Sequence, residues 1–206
     1  MIKIWGRANS INVQKVLWTC EALGLPFERI DAGMQFGVND TPQFLAMNPN
    51  GLVPVLQDGA LTLWESHAIV RHLARKYGQG RLWPADEVAA AHADQWMDWC
   101  ASTVWPDMKV VFMNLVRFAP EQRNMAAVAQ STQMLGKSLA ILDRHLENRR
   151  YVAADHLTMG DIPLAVIAYR WFSLDIARVN LPHLKAWYER VASEPAFQKH
   201  CALPLT

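Results

Sequence analysis

Leu52-Val53-Pro54-Val55-Leu56, followed by Glu65-Ser66 twelve residues after Val53, decides how this chain reads. A proline inside an apolar, β-branched run removes a ladder donor, so it belongs at a strand's edge, end or bulge. A cis Val53-Pro54 bond at the strand's start resolves the conflict, since an X-Pro bond tolerates the cis form. That turn leaves the N–H and C=O of Val53 facing outward, available to an extended peptide as a short added strand. Asp58-Gly59 supplies a hairpin turn, and Leu61-Thr62-Leu63-Trp64 returns as the next strand. Glu65-Ser66 then opens a helical pattern, and a helix start with free N–H groups and a hydroxyl is a carboxylate site. A backbone edge beside a carboxylate site implies a small acidic peptide as ligand.

Working outward, short strands and helices alternate through residue 78. Lys3 to Trp5 reads as a strand. Val13, Val16, Leu17, Cys20 and Leu23 share one helical face, with Gly24 as the stop. Phe27 to Asp31 is a second strand, and Thr41-Pro42 is an N-cap followed by proline at the first helical position. After the hairpin a helix runs from Ser66 to Tyr77 with Ile69, Val70, Leu73 and Ala74 inward, and Gly78 ends it. The order βαβ-α-ββα carries a right-handed crossover in its first unit.

Gly78-Gln79-Gly80 and Pro84 mark a linker, and strand signals nearly vanish beyond it. Helices are expected over 86–100, with Val88, Trp96, Trp99 and Cys100 inward, and over 108–116 after a bend or break at Trp105-Pro106. Further helices are expected over 120–145, from Thr158-Met159-Gly160-Asp161 to about Phe172, and from Leu181-Pro182 onward. The expected domains are 1–78, a linker at 79–85, and an all-helical domain at 86–206.

A chain of 206 residues, 51% hydrophobic, can bury a substantial core. Its net charge of +1, without any block of like charge, argues against nucleic acid as a partner. Met1-Ile2-Lys3-Ile4 runs straight into a strand, so no signal peptide is expected, and no apolar run is long enough for a membrane span. Three widely spaced cysteines, Cys20, Cys100 and Cys201, suit reduced thiols in a cytoplasmic protein. No metal is expected, because the histidines form no i,i+4 pair and His67 and His72 lie five apart.

Taken together, Asn48-Pro49-Asn50-Gly51-Leu52-Val53-Pro54-Val55-Leu56, Leu63-Trp64-Glu65-Ser66-His67-Ala68-Ile69, Ser10-Ile11-Asn12-Val13-Gln14-Lys15-Val16 and Thr158-Met159-Gly160-Asp161 resemble a cytosolic glutathione S-transferase. The likeness covers nearly the whole chain. It implies a thioredoxin-like α/β N-terminal domain, an all-α C-terminal domain, a twofold homodimer using outer faces near Arg71, Arg75 and Asp94, and glutathione as a substrate. It further implies that Val53, beside Pro54, pairs its backbone with the cysteinyl unit. Ser66 would hold the γ-glutamyl carboxylate and Glu65 the amino group. By themselves Ser66 and Glu65 also fit a helix cap and a first-turn acid.

The resemblance puts the thiolate donor at the start of the first helix. Ser10 falls where serine-type members carry their hydroxyl, and Asn12 where cysteine-type members carry a thiol and some bacterial members an amide. Trp5 stands where tyrosine is common, which removes a tyrosine mechanism. Both Ser10 and Asn12 also fit helix N-caps, and either or both could donate to one sulfur. Gln35 is expected to border the glycyl end, and Leu52 replaces the basic or polar residue of other members there. Trp105, Met108 and Phe112 are expected either in the pocket of an apolar electrophile or in ordinary helical core. Cys20 reads as packing, and Thr158 with Asp161 reads as a helix start, not a catalytic pair. The function implied is conjugation of glutathione to small electrophiles, with detoxification as its context. The alternatives are glutathione-dependent disulfide reduction and a non-catalytic binding or regulatory protein of the same fold.

Overall fold

Ile2 and Ile4 are buried while Lys3 is exposed, the period-two alternation that makes Ile2–Trp5 a strand, β1. In the computed structural model, which describes residues 1–206, β1 is the second strand of a four-stranded mixed sheet. Its neighbours are β2 (Phe27–Ile30), parallel, and β3 (Val55–Asp58), antiparallel. β4 (Leu61–Trp64) closes the order β2-β1-β3-β4 through a hairpin turning at Gly59, φ 64°. Helix α1 (Ile11–Ala22) makes the crossover between β1 and β2. It ends in a paired-bond stop: Gly24 sits at φ 68°, its N–H reaching Glu21 O (2.9 Å) while the Leu25 N–H reaches Cys20 O (2.9 Å). Helix α2 (Pro42–Met47) is capped by Thr41 Oγ1, which accepts from the Phe44 N–H at 3.3 Å. Helix α3 (Ser66–Tyr77) spans the residues expected of it, and Ile69, Val70, Leu73 and Ala74 are all fully buried.

The chain forms two units: 1–83 with 195–203, and 84–194 with 204–206. The short helix α9 (Pro195–His200), absent from the sequence reading, therefore belongs to the first unit. The Phe197 ring sits edge-on against Trp18 at 5.1 Å, and Lys199 and His200 bind Glu21. This second neighbour covers Trp18, one of the residues that α1 buries in addition to its expected apolar face.

Asp58 does more in this unit than open a turn. Its buried carboxylate accepts from Lys76 Nζ (2.8 Å) and from Tyr77 OH (2.9 and 3.0 Å), and His72 Nε2 lies at 2.8 Å, so the hairpin is tied to the last turns of α3. Burial pushes this carboxyl up, but the bonds from Lys76, His72 and Tyr77 outweigh it and hold the group at about 2. A folded pKa below the unfolded one means stability that is present above about pH 4 and is lost as pH falls through about 2. Because Lys76 is about half exposed and screened by water, the stability gained is on the order of 1 kcal/mol, less than the full shift. Urea titrations of wild type and Asp58→Asn between pH 7 and 2 check this: the wild-type advantage shrinks across that window.

In the second unit, helix α4 (Glu87–Trp99) starts at Asp86, whose carboxylate accepts from the Ala89 N–H at 2.7 Å. Its buried face is Ala90, Ala93 and Met97, continued by Cys100. Val88 is 64% exposed, and Trp96 and Trp99 are half-buried against each other, so the expected inward face is rotated. The helix does not break at Pro106. A wide-turn segment, 100–104, leads into α5 (Trp105–Phe112), and a second such segment covers 113–117. Pro106 lacks the N–H that a regular ladder needs, and a widened turn beside it keeps the backbone helical. Pro120–Gln122 forms only a single tight turn, and helix α6 (Met125–Leu146) begins afterwards because Asn124 caps it through the Ala127 N–H at 3.0 Å.

Helices α7 (Asp161–Ser173) and α8 (Pro182–Ala192) complete the second unit. The start of α7 departs from a simple capping box. Gly160 occupies the cap, and the Thr158 hydroxyl donates to Asp161 Oδ2 at 2.9 Å. No helix is long and apolar enough to cross a membrane.

Candidate functional site

Gly6 ends β1 at φ 152°, and a Cβ there would lie 2.4 Å from Val13 Cγ2 and 3.2 Å from Val53 Cβ. Only glycine lets this turn press against both α1 and the Val53 loop. That loop is held by Asn48. Its buried side chain donates to Leu52 O (2.7 Å) and accepts from the Asn50 N–H (3.1 Å), while Asn39 Nδ2 donates to Gly51 O (2.7 Å). The Val53-Pro54 bond is cis. The ladder begins two residues later at Val55, so Val53 lies outside it, half-buried against Ala32, Phe44 and Val55.

Glu65 precedes α3 at φ 70°, ψ 111°, a backbone conformation that costs a non-glycine residue about 1–3 kcal/mol. Strain of this kind persists where the surroundings over-determine it, and it clusters at ligand sites. Glu65 is exposed, and its side chain does not cap the helix. Ser66 is the first residue of α3 and is buried, with its hydroxyl beside the helix's uncapped N–H groups.

The starts of α1 and α3 meet. Ser66 Oγ lies 3.4 Å from Asn12 Oδ1. Lys15, one turn into α1 and only 5% exposed, places its Nζ 3.0 Å from Asn12 Oδ1, 3.0 Å from His67 Nε2 and 3.5 Å from Ser66 Oγ. Ser10 is the cap residue by position, with extended backbone at φ −82°, ψ 124°, yet its hydroxyl makes no capping bond. Asn12 is not a cap: the helix has already begun at Ile11, and its amide oxygen faces Lys15 and Ser66. Trp5, at the place of the family's tyrosine, commits its single indole N–H to Gln57 Oε1 at 3.1 Å.

Asn12 and Ser66 are thus brought together, and Val53 lies against the same Gly6 turn that leads into α1. Gln35 is exposed in a three-residue turn, Met34–Phe36. Met108 is fully buried and Phe112 is 7% exposed, with the Arg170 guanidinium 5.0 Å from the Phe112 ring centre, so both belong to helical core. Trp105 is half-buried. None of these three lines the apolar cavity of about 580 Å³ in the helical unit, whose walls include Leu115, Met125, Val128, Trp171, Ile176 and Val179.

Cys20 is fully buried, and burial, with Asp58 and Glu21 adding, pushes its thiol up to about 12, which removes it as a nucleophile. No group of three or more His, Cys, Asp or Glu side chains is placed to hold a metal ion. Lys15, His67 and the loop-building role of Asn48 were missed by sequence reasoning. The one available signal was a lysine inside the buried stretch of α1, which an amphipathic helix would have placed in water.

Residues 1–75 match the family described as glutathione S-transferase, N-terminal domain, and residues 104–195 match glutathione S-transferase, C-terminal domain. The chain is 43% identical over 208 aligned residues to glutathione S-transferase GstB of Escherichia coli K12, with all of both chains covered. It is 34% identical to glutathione S-transferase 4 of Zea mays, covering 96% of this chain and 91% of that one. Among solved structures it is similar to the theta class glutathione S-transferase of Xanthomonas axonopodis pv. citri with glutathione bound. That match has a TM-score of 0.96 and 45% identity, and covers 100% of this chain and 99% of that one. Glutathione transferase F7 of Populus trichocarpa gives a TM-score of 0.89 at 28% identity, with 98% of each chain covered.

Proposed function

Since the chain belongs to the glutathione S-transferase family, we propose that it ionises glutathione at the start of α1 and transfers the sulfur to small, mostly apolar electrophiles. In this reading Val53 pairs with the cysteinyl backbone, and the Ser66 hydroxyl and N–H take the γ-glutamyl carboxylate. Glu65 accepts from the amino group, and Gln35 serves the glycyl end. The thiol of glutathione has a cysteine-like reference pKa of about 8.5, and lowering it by two units takes about 2.7 kcal/mol of preferential binding to the thiolate. The Ser10 hydroxyl, the Asn12 N–H₂ and the positive end of the α1 dipole supply it. A new S–C bond then forms as the electrophile's leaving group departs with its electron pair, the thiol proton having gone to solvent.

The observation that supports this reading is the 3.4 Å approach of Ser66 Oγ to Asn12 Oδ1, which brings the first turns of α1 and α3, where the two ends of glutathione are proposed to bind, within reach of one another. The test is an ultraviolet difference spectrum of bound glutathione at neutral pH, followed by turnover with a halogenated aromatic electrophile and with a mixed glutathione disulfide. Thiolate absorbance with conjugation supports the transferase. Thiolate absorbance with turnover of the disulfide alone moves the reading to disulfide reduction, and no thiolate leaves only a binding protein.

The active form in this reading is a twofold homodimer in the cytoplasm, its outer faces near Arg71, Arg75 and Asp94 contributing contacts. Sedimentation at micromolar concentration checks it. A species of twice the chain mass is expected, and a monomer overturns it.

A further inference from the structure

Lysine carries donors and no acceptor, and an ammonium buried to 5% exposure persists only where its three protons are taken up. Around Lys15 Nζ stand three acceptors: Asn12 Oδ1 at 3.0 Å, His67 Nε2 at 3.0 Å and Ser66 Oγ at 3.5 Å. Each contact fixes a polarity. Asn12 spends its oxygen on the lysine and on Ser66, so its N–H₂ is the end left for a ligand. Ser66 accepts from the lysine with one lone pair, so its proton is free to turn from the long 3.4 Å contact with Asn12 to a carboxylate. His67 must be neutral, with the proton on Nδ1 and the Nε2 lone pair toward the ammonium.

We infer that Lys15 is a positioning residue that sets the donor polarity of both ends of the site: Asn12 is held as an N–H donor to the thiolate and Ser66 as an O–H donor to the γ-glutamyl carboxylate, with one buried positive charge serving both anions. This rests on the glutathione reading above and adds to it a residue that touches neither reacting atom. Without the ammonium nothing decides which way the Asn12 amide faces, and an amide turned oxygen-outward repels a thiolate where it should stabilise it. A lysine chosen only for packing would be an expensive choice at this depth, because an apolar side chain of the same length fills the volume without desolvating a charge.

The test is a double-mutant cycle of Lys15→Met and Asn12→Ala, reading the thiol pKa of bound glutathione by thiolate absorbance, its Kd by calorimetry, and the thermal midpoint. Lys15→Met is expected to raise the bound thiol pKa by about one unit and to weaken glutathione about tenfold. Asn12→Ala should then add much less in that background than it does alone. Lys15→Arg, which keeps the charge, should recover part of both losses. A folded Lys15→Met with the wild-type thiol pKa and Kd overturns the inference, as does full additivity with Asn12→Ala. A wild-type protein that binds no glutathione removes the functional reading itself and is recognised before any variant is made. Should Lys15→Met not fold, ¹⁵N spectra of the wild type decide. Nε2 of His67 is expected unprotonated, and the Asn12 N–H₂ signal is expected to move when glutathione is added. A protonated Nε2 or an unmoved Asn12 signal overturns the inference.

Discussion

Asp161→Ala lowers the unfolding free energy by about 3–5 kcal/mol, read as a fall in urea midpoint, even though Asp161 lies in the second unit, outside the candidate site in the first. The carboxylate is fully buried and takes four donors. Oδ1 accepts from the Val152 N–H (3.0 Å) and the Trp187 indole (2.9 Å), and Oδ2 from the Thr158 N–H and hydroxyl (both 2.9 Å). One side chain therefore ties the segment before α7 and helix α8 to the first turn of α7. Burial pushes its pKa up, and the bonds from Thr158, Val152 and Trp187 oppose that, so the site is stable only while all four donors are served. Alanine orphans three N–H groups that cannot turn away, each costing about 1–3 kcal/mol, and the losses overlap because the residues share one partner. Asp161→Asn, with the same volume, should cost about half as much. An amide N–H₂ facing Thr158 lets the hydroxyl reverse and accept, but it cannot satisfy the Thr158 N–H. A midpoint unchanged in both variants would show that the network contributes no stability.

For catalysis, Asn12→Ala or Ser10→Ala, whichever removes the dominant donor, should raise the pKa of bound glutathione and cut turnover roughly tenfold to a hundredfold. A hydrogen bond to a charged group is worth about 1.5–3 kcal/mol. Glutathione affinity should change less, since neither substitution removes a group assigned to the peptide ends. Ser66→Ala should do the reverse, weakening glutathione while leaving the saturated rate closer to wild type. Ser10→Ala is the cleaner of the two substitutions, because the Ser10 hydroxyl does not cap its helix, whereas Asn12→Ala also takes an acceptor from the buried Lys15 ammonium, so its thermal midpoint is read beside its turnover. Full turnover and an unshifted thiol pKa in both donor variants would leave the α1 dipole as the activator and end their assignment.

Local patterns determined much of this molecule. Helix α3 follows from the face shared by Ile69, Val70, Leu73 and Ala74, the stop of α1 from Gly24, the start of α2 from Thr41-Pro42, and the cis turn before β3 from a proline placed in an apolar run. In each case the cause lies within a few residues: periodic burial, a positive φ, a missing N–H. The Val53, Glu65 and Ser66 positions were legible for the same reason, because a strand edge and a helix start announce themselves by composition.

What only the tertiary structure decided depends on a second neighbour that no local pattern contains. Lys15 has no local cause of burial, and only the start of α3, closing over its ammonium, takes it out of water. Asp58 reads as a turn residue until Lys76 and Tyr77 reach it from α3. Val88 reads as core until Ala90, Ala93 and Met97 show which face of α4 is covered: Gly160 lies so close that a Cβ there would stand 2.9 Å from the Ala93 backbone, so small residues line that side and Val88 turns to water. The direction of the Asn12 amide belongs to this class too. A sequence names the amide, but the charge packed beside it decides which end it offers.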